Sequence, residues 1–227
     1  MRVPMSCLAL LAGLCLSGMP AQAVAAEHGS GSAVVCVPVS QKAERSTGCF
    51  IVAERRLGPL GKAPLFWHVT RFALKAEADA AAKRAGPTST AVEAYGKGWL
   101  RTIADARWRP GAGDEVAVIG PLPIDADTSY AAMYMEASMP PGTTSRVHVH
   151  SGPEAFYTLS GESCLETPSG SQRGGPGGKG VVVPGGVPMQ LTATGQQARR
   201  SLVLVLHDAS RPATTAERNW VPKGLCR

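Results

Sequence analysis

The second half of the chain is built from short apolar or alternating segments separated by turns rich in glycine and proline. These segments are residues 130–137, 147–150, 155–159, 181–183, 189–193 and 202–206. All are shorter than a typical helix, and no stretch between them has a convincing helical pattern. The pattern predicts an antiparallel sandwich or barrel that begins near Val116, of which the double-sheet jelly roll is one form.

The first half of the chain has a different pattern. Residues 65–72 form an aromatic and β-branched run typical of a strand. Residues 73–85 are rich in alanine and charged residues and end at Gly86 and Pro87, which predicts a helix. Two further strands are expected within residues 89–103. We therefore predict a mostly β protein in which a small α+β module, residues 27–115, precedes a β-barrel, residues 116–215, and a tail, residues 216–227.

The N-terminal segment, residues 1–26, has the features of a secretory signal. Arg2 precedes an apolar stretch, and small residues follow Pro20. The stretch is shorter than the roughly 20 residues of a spanning helix, and no later segment is long enough. We predict a periplasmic or secreted protein with a cleaved signal and no membrane-spanning helix.

Cysteine usage fits such a compartment. Two of the six cysteines lie in the predicted signal, and the remaining four suggest two disulfides. Three connectivities are possible. Apolar residues on both sides of the polar segment 41–47 form a hairpin-like pattern, which favours a disulfide between Cys36 and Cys49. Cys164 would then pair with Cys226 or remain a buried free thiol.

The charge distribution argues against nucleic-acid binding. The formal net charge is +6 at pH 7, but the basic residues form no stripe and have no interleaved aromatic residues. The basic doublets at residues 55–56, 83–84 and 199–200 are expected at the solvated surface.

Three residues form a candidate metal site. His148 and His150 are two residues apart, which in a strand places both imidazoles on one face. Glu154 begins the next expected strand after a turn and can bring a carboxylate beside them. Two histidines and one carboxylate with open positions suit Fe(II) and are compatible with Mn(II), Zn(II) or Ni(II).

The spacing around these residues resembles a known family. Gly142, His148, His150, Glu154 and Gly161 match every required position of the first signature motif of the cupin superfamily. A second set, Gly178, Pro184 and Gly186, is similar to the start of the second cupin motif. The resemblance covers roughly residues 116–210. It implies a cupin-type jelly-roll β-barrel with a divalent metal held inside by the two histidines and the glutamate, and a homodimer paired through barrel edges.

The second motif departs from the family at two positions. Met189 stands where a third histidine is expected, and Ala193 replaces the closing asparagine. Met189 is either an unusual soft ligand or an apolar residue that fills the barrel, and packing is the simpler interpretation. The site would then have three protein ligands. Loss of the metal is the alternative, although two imidazoles and a carboxylate are costly to bury without partners.

The predicted function follows from this site. We expect Tyr134, Phe156 and Gln190 to line a pocket in which a small polar molecule binds near the metal. If the protein is an enzyme, oxygenation or isomerisation is favoured over hydrolysis. The alternatives are a non-catalytic binding or sensing protein, metal-free or with a structural metal, and a scaffold whose N-terminal module binds a partner.

Overall fold

The structure is a computed structural model that describes Met1, residues 35–44 and residues 47–226. Apart from Met1, the predicted signal segment lies outside the described residues. In the described part of the chain, no helix is long and apolar enough to cross a membrane.

Strands dominate the described residues. The first seven elements are β1 (Cys36–Pro38), β2 (Gly48–Pro59), β3 (Phe66–Phe72), α1 (Lys75–Ala85), β4 (Ser89–Ala94), β5 (Lys97–Ala104) and β6 (Asp114–Ile119), with a 3-10 helix, Val39–Glu44, between β1 and β2. The later strands are β7 (Ser129–Met139), β8 (His148–His150), β9 (Glu154–Ser160), β10 (Glu162–Thr167), β11 (Gly170–Gly174), β12 (Val181–Val183), β13 (Gln190–Thr194), β14 (Arg199–Asp208) and β15 (Thr214–Ala216). The predicted helix and the short strands of the second half are therefore present.

Two groups of strands enclose an apolar interior. One sheet has the order β1-β2-β7-β14-β9-β12, and the other group consists of the pair β15-β8 and the three-stranded sheet β11-β10-β13. A backbone bridge between His148 and Met189 joins β8 to the start of β13. Alternate residues of β14, such as Val203 and Val205, pack with Leu191 from the opposite side. The predicted mostly β fold, with two facing groups of strands as in a double-sheet jelly roll, is confirmed.

A second core lies on the outer face of the six-stranded sheet. The sheet β4-β5-β3-β6 covers this face, and its Trp67 and Trp99 pack in one cluster with Leu202 and Leu204 of β14. Helix α1 packs on the far side through Ala78 and Ala81. The described chain thus has four layers, which are α1, the four-stranded sheet, the six-stranded sheet and the inner strands β8, β10 and β13 with their partners.

The predicted hairpin at the first disulfide is wrong. The structure contains the disulfides Cys36–Cys49 and Cys164–Cys226, but β1 pairs with β2 in parallel. A hairpin needs a tight turn that reverses the chain. Here β2 runs in the same direction as β1, which is incompatible with a hairpin.

The predicted boundary near residue 115 falls inside β6. Strands from both sides of it also share the six-stranded sheet, because β2 pairs with β7. In the sense of segments that fold independently, the division into residues 27–115 and 116–215 stays a prediction.

Candidate metal centre

The site is built on the short strand β8. Its two histidines occupy alternate positions, so both side chains leave the same face. The ring centroids of His148 and His150 are 4.8 Å apart, with the rings at 79°. On one edge β8 pairs with β15, and on the other His148 bridges Met189. This pairing on both edges holds the two imidazoles side by side.

Backbone carbonyls set the orientation of both imidazole rings. His148 Nδ1 lies 2.7 Å from the Arg146 carbonyl oxygen, and His150 Nδ1 lies 2.8 Å from that of Ala213. A carbonyl only accepts, so each Nδ1 carries the proton and donates it. In the neutral form of each ring, Nε2 is then unprotonated and its lone pair is available. This is the usual arrangement of histidines that bind metals.

Glu154 completes the group from the neighbouring strand. It begins β9 directly after the turn at residues 151–153. Ligand atoms of His148, His150 and Glu154 all lie within 4.8 Å of one another. His150 Nε2 and Glu154 Oε2 are 3.1 Å apart, yet neither has a hydrogen-bond partner of acceptable geometry, and both are buried. Such orphaned polar atoms fit a divalent cation, which would satisfy them together.

The environment favours different protonation states for the two histidines. Burial lowers the pKa of His148, and the charge of Glu154 offsets this only in part. Burial also lowers the pKa of His150, but Glu154 and the Ala213 carbonyl outweigh it, so the net direction is upward. A divalent metal binds the neutral ring, so metal binding at His150 competes with protonation of that ring.

A cavity of about 280 Å³ adjoins the group. His148, His150 and Glu154 form part of its wall. The apolar wall includes Ile51, Met133, Met135, Met139, Phe156 and Val203. The cavity is therefore a mainly apolar space with a few polar groups, as small-molecule sites commonly are.

One polar residue of the wall was not expected there. Arg199, in a doublet predicted at the surface, has no exposed area and lines the cavity. Strand alternation explains the difference, because Arg199 shares the interior face of β14 with Val203 while Arg200 is exposed. The alternation of interior and exterior positions is present in the sequence of this strand. Because two adjacent arginines are typical of a surface, residues 199–200 were predicted to be exposed.

The three expected pocket residues are placed differently. Phe156 lines the cavity. Tyr134 is on the opposite face of β7, buried in the cluster with Trp67 and Leu204, and does not line it. Gln190 is outside as well, because Leu191 and Ala193 are the interior residues of β13. The Gln190 amide donates to the Ser145 carbonyl instead.

Met189 lies next to the group but within the core. Its backbone exchanges two hydrogen bonds with His148, of 3.0 and 3.2 Å, and its side chain is completely buried in the interior cluster. This placement fits the packing role. Met189 as a fourth ligand stays a prediction.

The role of the Ala213 carbonyl in orienting His150 could not be predicted from the sequence. A backbone acceptor has no residue-specific signature, and the three-residue strand β15 that positions it is short and exposed. The pairing of Thr214 with His150 places this carbonyl beside the imidazole.

The fold and the group of two histidines and one glutamate define a double-sheet β-barrel with a candidate metal centre. Neither a protein-family model nor a curated protein matches the chain. Over part of its length, the chain is similar to solved structures of cupin-type proteins.

Three of these solved structures illustrate the extent of the similarity. A cupin-like protein from Thermotoga maritima is 13% identical, with 38% of this chain and 64% of that chain covered and a TM-score of 0.35. A DMSP lyase from Ruegeria pomeroyi is 27% identical, with 37% and 42% covered and a TM-score of 0.33. An oxalate decarboxylase from Bacillus subtilis is 21% identical, with 39% and 24% covered and a TM-score of 0.32. The chain spans less than two thirds of each, and the likeness says nothing about activity.

Proposed function

We propose that the protein binds one divalent metal through His148, His150 and Glu154 and binds a small molecule in the adjoining cavity. One observation carries this proposal. Both imidazoles are fixed by Nδ1 donation, while His150 Nε2 and Glu154 Oε2 are buried without a hydrogen-bond partner. Polar atoms without partners destabilise a fold by several kcal/mol in total, roughly 1–3 kcal/mol for each group, so a ligand that satisfies both is expected.

The donor set limits the metal and its chemistry. Two imidazoles and one carboxylate suit Fe(II), Mn(II), Zn(II) or Ni(II) and leave coordination positions open to a substrate. When bound, such a metal supplies Lewis-acid or oxygen chemistry. The apolar wall would bind the body of the substrate and exclude water. If the protein is an enzyme, we favour oxygenation or isomerisation.

The second candidate is a non-catalytic binding or sensing protein. Met189 favours it, because an apolar side chain lies beside His148 where a third imidazole would strengthen metal binding. Stable binding of a cavity ligand without turnover, in protein loaded with each metal in turn, would support this candidate. Turnover of the bound molecule would exclude it.

Export and dimerisation belong to the same proposal. Two disulfides are compatible with an oxidising compartment, so we propose that residues 1–26 direct the protein to the periplasm or beyond. A homodimer paired through barrel edges stays a prediction, which sedimentation of the purified protein tests.

Metal content is the direct test of the centre. The protein is purified without chelator or affinity metal and analysed by elemental mass spectrometry, beside His150→Ala, Glu154→Gln and His207→Ala. His207 lies outside the three-residue group and is the matched control. We expect close to one metal per chain in the wild type and the control, and a loss of at least tenfold in the two site variants. Equal metal content in all four proteins would refute the site.

A further variant examines the departure from the cupin motif. Met189→His restores the imidazole that the motif expects beside His148. If the native protein is empty and Met189→His fills with metal, the fold retains the geometry of a metal site but the native function is ligand binding.

A further inference from the structure

Arg199 carries a charge that the described protein leaves largely unsatisfied. Its side chain is completely buried. Nη1 has only a weak contact, 3.7 Å from the sulfur of Met139, and the guanidinium lies over the Phe156 ring at 5.5 Å from its centroid. Nε and Nη2 have no hydrogen-bond partner. These two nitrogens share one edge of the guanidinium, so a complete two-pronged donor is free.

No carboxylate among the described residues pairs with this edge. Glu154 is the acidic group that acts most strongly on Arg199, but no ion pair within 4.0 Å forms between them, and Glu154 Oε2 lies against His150. Burial lowers the pKa of Arg199, which expresses the cost of holding the cation there. A buried charge without a partner strongly destabilises a fold. A ligand whose acceptor atoms reach this edge would remove that cost.

A ligand of Arg199 would bind in the cavity that this residue lines. Arg199 lines the same cavity of about 280 Å³ as the three candidate metal ligands. The remaining wall is mainly apolar, with Met133, Met135 and Ile51 among its members. A ligand that fills this space needs an apolar body, and only its charged end can meet the guanidinium.

We propose that Arg199 is a binding residue for the carboxylate of a small, apolar monocarboxylate that occupies this cavity. The free edge matches the two oxygens of a carboxylate, which it binds through two parallel charge-assisted hydrogen bonds. The proposal rests on the proposed function in one respect, which is that the cavity holds a small molecule. It does not depend on the metal. It also revises the expected ligand from a polar molecule to one with an apolar body and one anionic group.

Arg101 provides a matched control for this residue. It is equally buried and its Nε and Nη2 also lack partners, although its Nη1 donates to the Met135 and Val203 carbonyl oxygens. However, it lies between the four-stranded and six-stranded sheets, over the Trp67 and Tyr134 rings, and does not line the cavity. Substitution of Arg101 therefore removes a comparable buried charge without touching the proposed site.

The experiment measures ligand preference in full-length protein. Butanoate, hexanoate and benzoate are compared with 1-butanol, 1-hexanol and benzyl alcohol by calorimetry, with metal-free and metal-loaded protein. We expect at least one carboxylate to bind tenfold or more tightly than its alcohol, even without metal. Arg199→Met should remove this preference, Arg199→Lys should retain part of it, and Arg101→Met should retain all of it. Absence of any carboxylate preference overturns the proposal.

Two further readouts separate the possible failures. A preference that requires metal and survives Arg199→Met places the carboxylate on the metal, which overturns this inference and leaves the proposed function intact. A metal-independent preference that Arg199→Met removes, in a protein that binds no metal, supports the inference while the metal site fails. Thermal unfolding tests whether Arg199 instead stabilises the fold. We expect Arg199→Met to melt no lower than the wild type, and a large loss of stability would overturn the assignment.

Discussion

At the scale of single residues, Gly152 decides how close the metal-binding strand comes to the neighbouring sheet. It lies in the turn between β8 and β9, and a Cβ atom there would lie 2.0 Å from the Leu206 carbonyl oxygen. That oxygen belongs to a strand in the middle of the sheet and has no room to move. The absence of a side chain therefore allows Glu154 to follow His150 after so short a turn.

We expect Gly152→Ala to destabilise the protein and to displace Glu154 from the histidines. Overpacking of this kind costs about 1–3 kcal/mol, and metal binding should weaken with it. Urea unfolding followed by circular dichroism measures the first effect, and metal titration measures the second.

Gly175→Ala is the control for this substitution. No atom outside its immediate neighbours lies within 4 Å of a Cβ at position 175, so this variant should keep its stability within about 0.5 kcal/mol. A Gly152→Ala protein as stable as the Gly175→Ala protein would contradict the close approach.

The residues of the candidate site differ in how far the sequence predicts them. His148, His150 and Glu154 follow from their chemistry and spacing, and the structure brings them together. The interior position of Arg199 agrees with the alternation along its strand, whereas its charge favoured a position at the surface. Tyr134 was predicted on the wrong face of its strand. Both faces of β7 are buried, so the burial of a residue does not show which face lines the cavity.

At the scale of elements, the C-terminal tail is held against β10 by one carboxylate. Glu166 accepts hydrogen bonds from the backbone N–H groups of Lys223 and Leu225. Glu166 is buried, and the Cys164–Cys226 disulfide ties the same segment to the same strand. Together these contacts fix residues 217–226, which have no regular secondary structure.

Glu166→Gln should loosen the tail without unfolding the barrel. One amide oxygen replaces two carboxylate oxygens, and hydrogen bonds to a charged group contribute about 1.5–3 kcal/mol. Hydrogen exchange at the Lys223 and Leu225 amides should accelerate at least tenfold. Glu162→Gln, at an exposed position of the same strand, should leave both rates unchanged, and equal rates in the two variants would show that the disulfide alone holds the tail.

The two disulfides are expected to differ in their contribution to stability. Cys36 and Cys49 are separated by 13 positions, and Cys164 and Cys226 by 62. On the chain-entropy account, the shorter loop contributes about 3 kcal/mol and the longer about 4 kcal/mol. Paired Cys→Ala substitutions, compared by urea unfolding, should show the larger loss for the second pair. The reverse order would mean that strain or residual structure outweighs loop entropy.

Local sequence patterns predicted the positions of helices and strands better than they predicted which strands pair. The helix after residue 72 and the two strands within residues 89–103, which are β4 and β5, were predicted from local sequence. Tyr95 and Gly96 link these strands with positive φ values of 51° and 69°, as a two-residue hairpin turn requires. The parallel pairing of β1 with β2 was missed, because an apolar run is compatible with either strand direction.

At the scale of the whole molecule, the six-stranded sheet has two buried faces. One face forms the cavity and the interior cluster, while the other carries Leu202, Leu204 and Leu206 beneath the four-stranded sheet. The four-stranded layer therefore shields the core of the barrel from water. The sequence indicated an α+β segment before the barrel, but nothing in it showed that this segment covers the sheet.

We expect residues 116–227, expressed alone, to aggregate or to unfold without cooperativity. This fragment lacks β2, which pairs along β7, and it exposes the leucine face of β14 to water. Buried apolar area stabilises a fold by about 25 cal/mol per Å², so the loss of both contacts removes a large share of the stability. Urea unfolding and light scattering measure the result. A soluble fragment with one cooperative transition would instead support the division near residue 115.

The attachment of β15 to β8 has a genetic consequence. A premature stop codon after Asp208 would leave every strand of the six-stranded sheet encoded. It would nevertheless delete the Ala213 carbonyl that fixes the His150 tautomer, and Cys226 with it. Such an allele would produce a protein with most of its core but a misaligned imidazole. Stop codons at positions 209–213 should therefore behave as losses of function rather than as harmless shortenings.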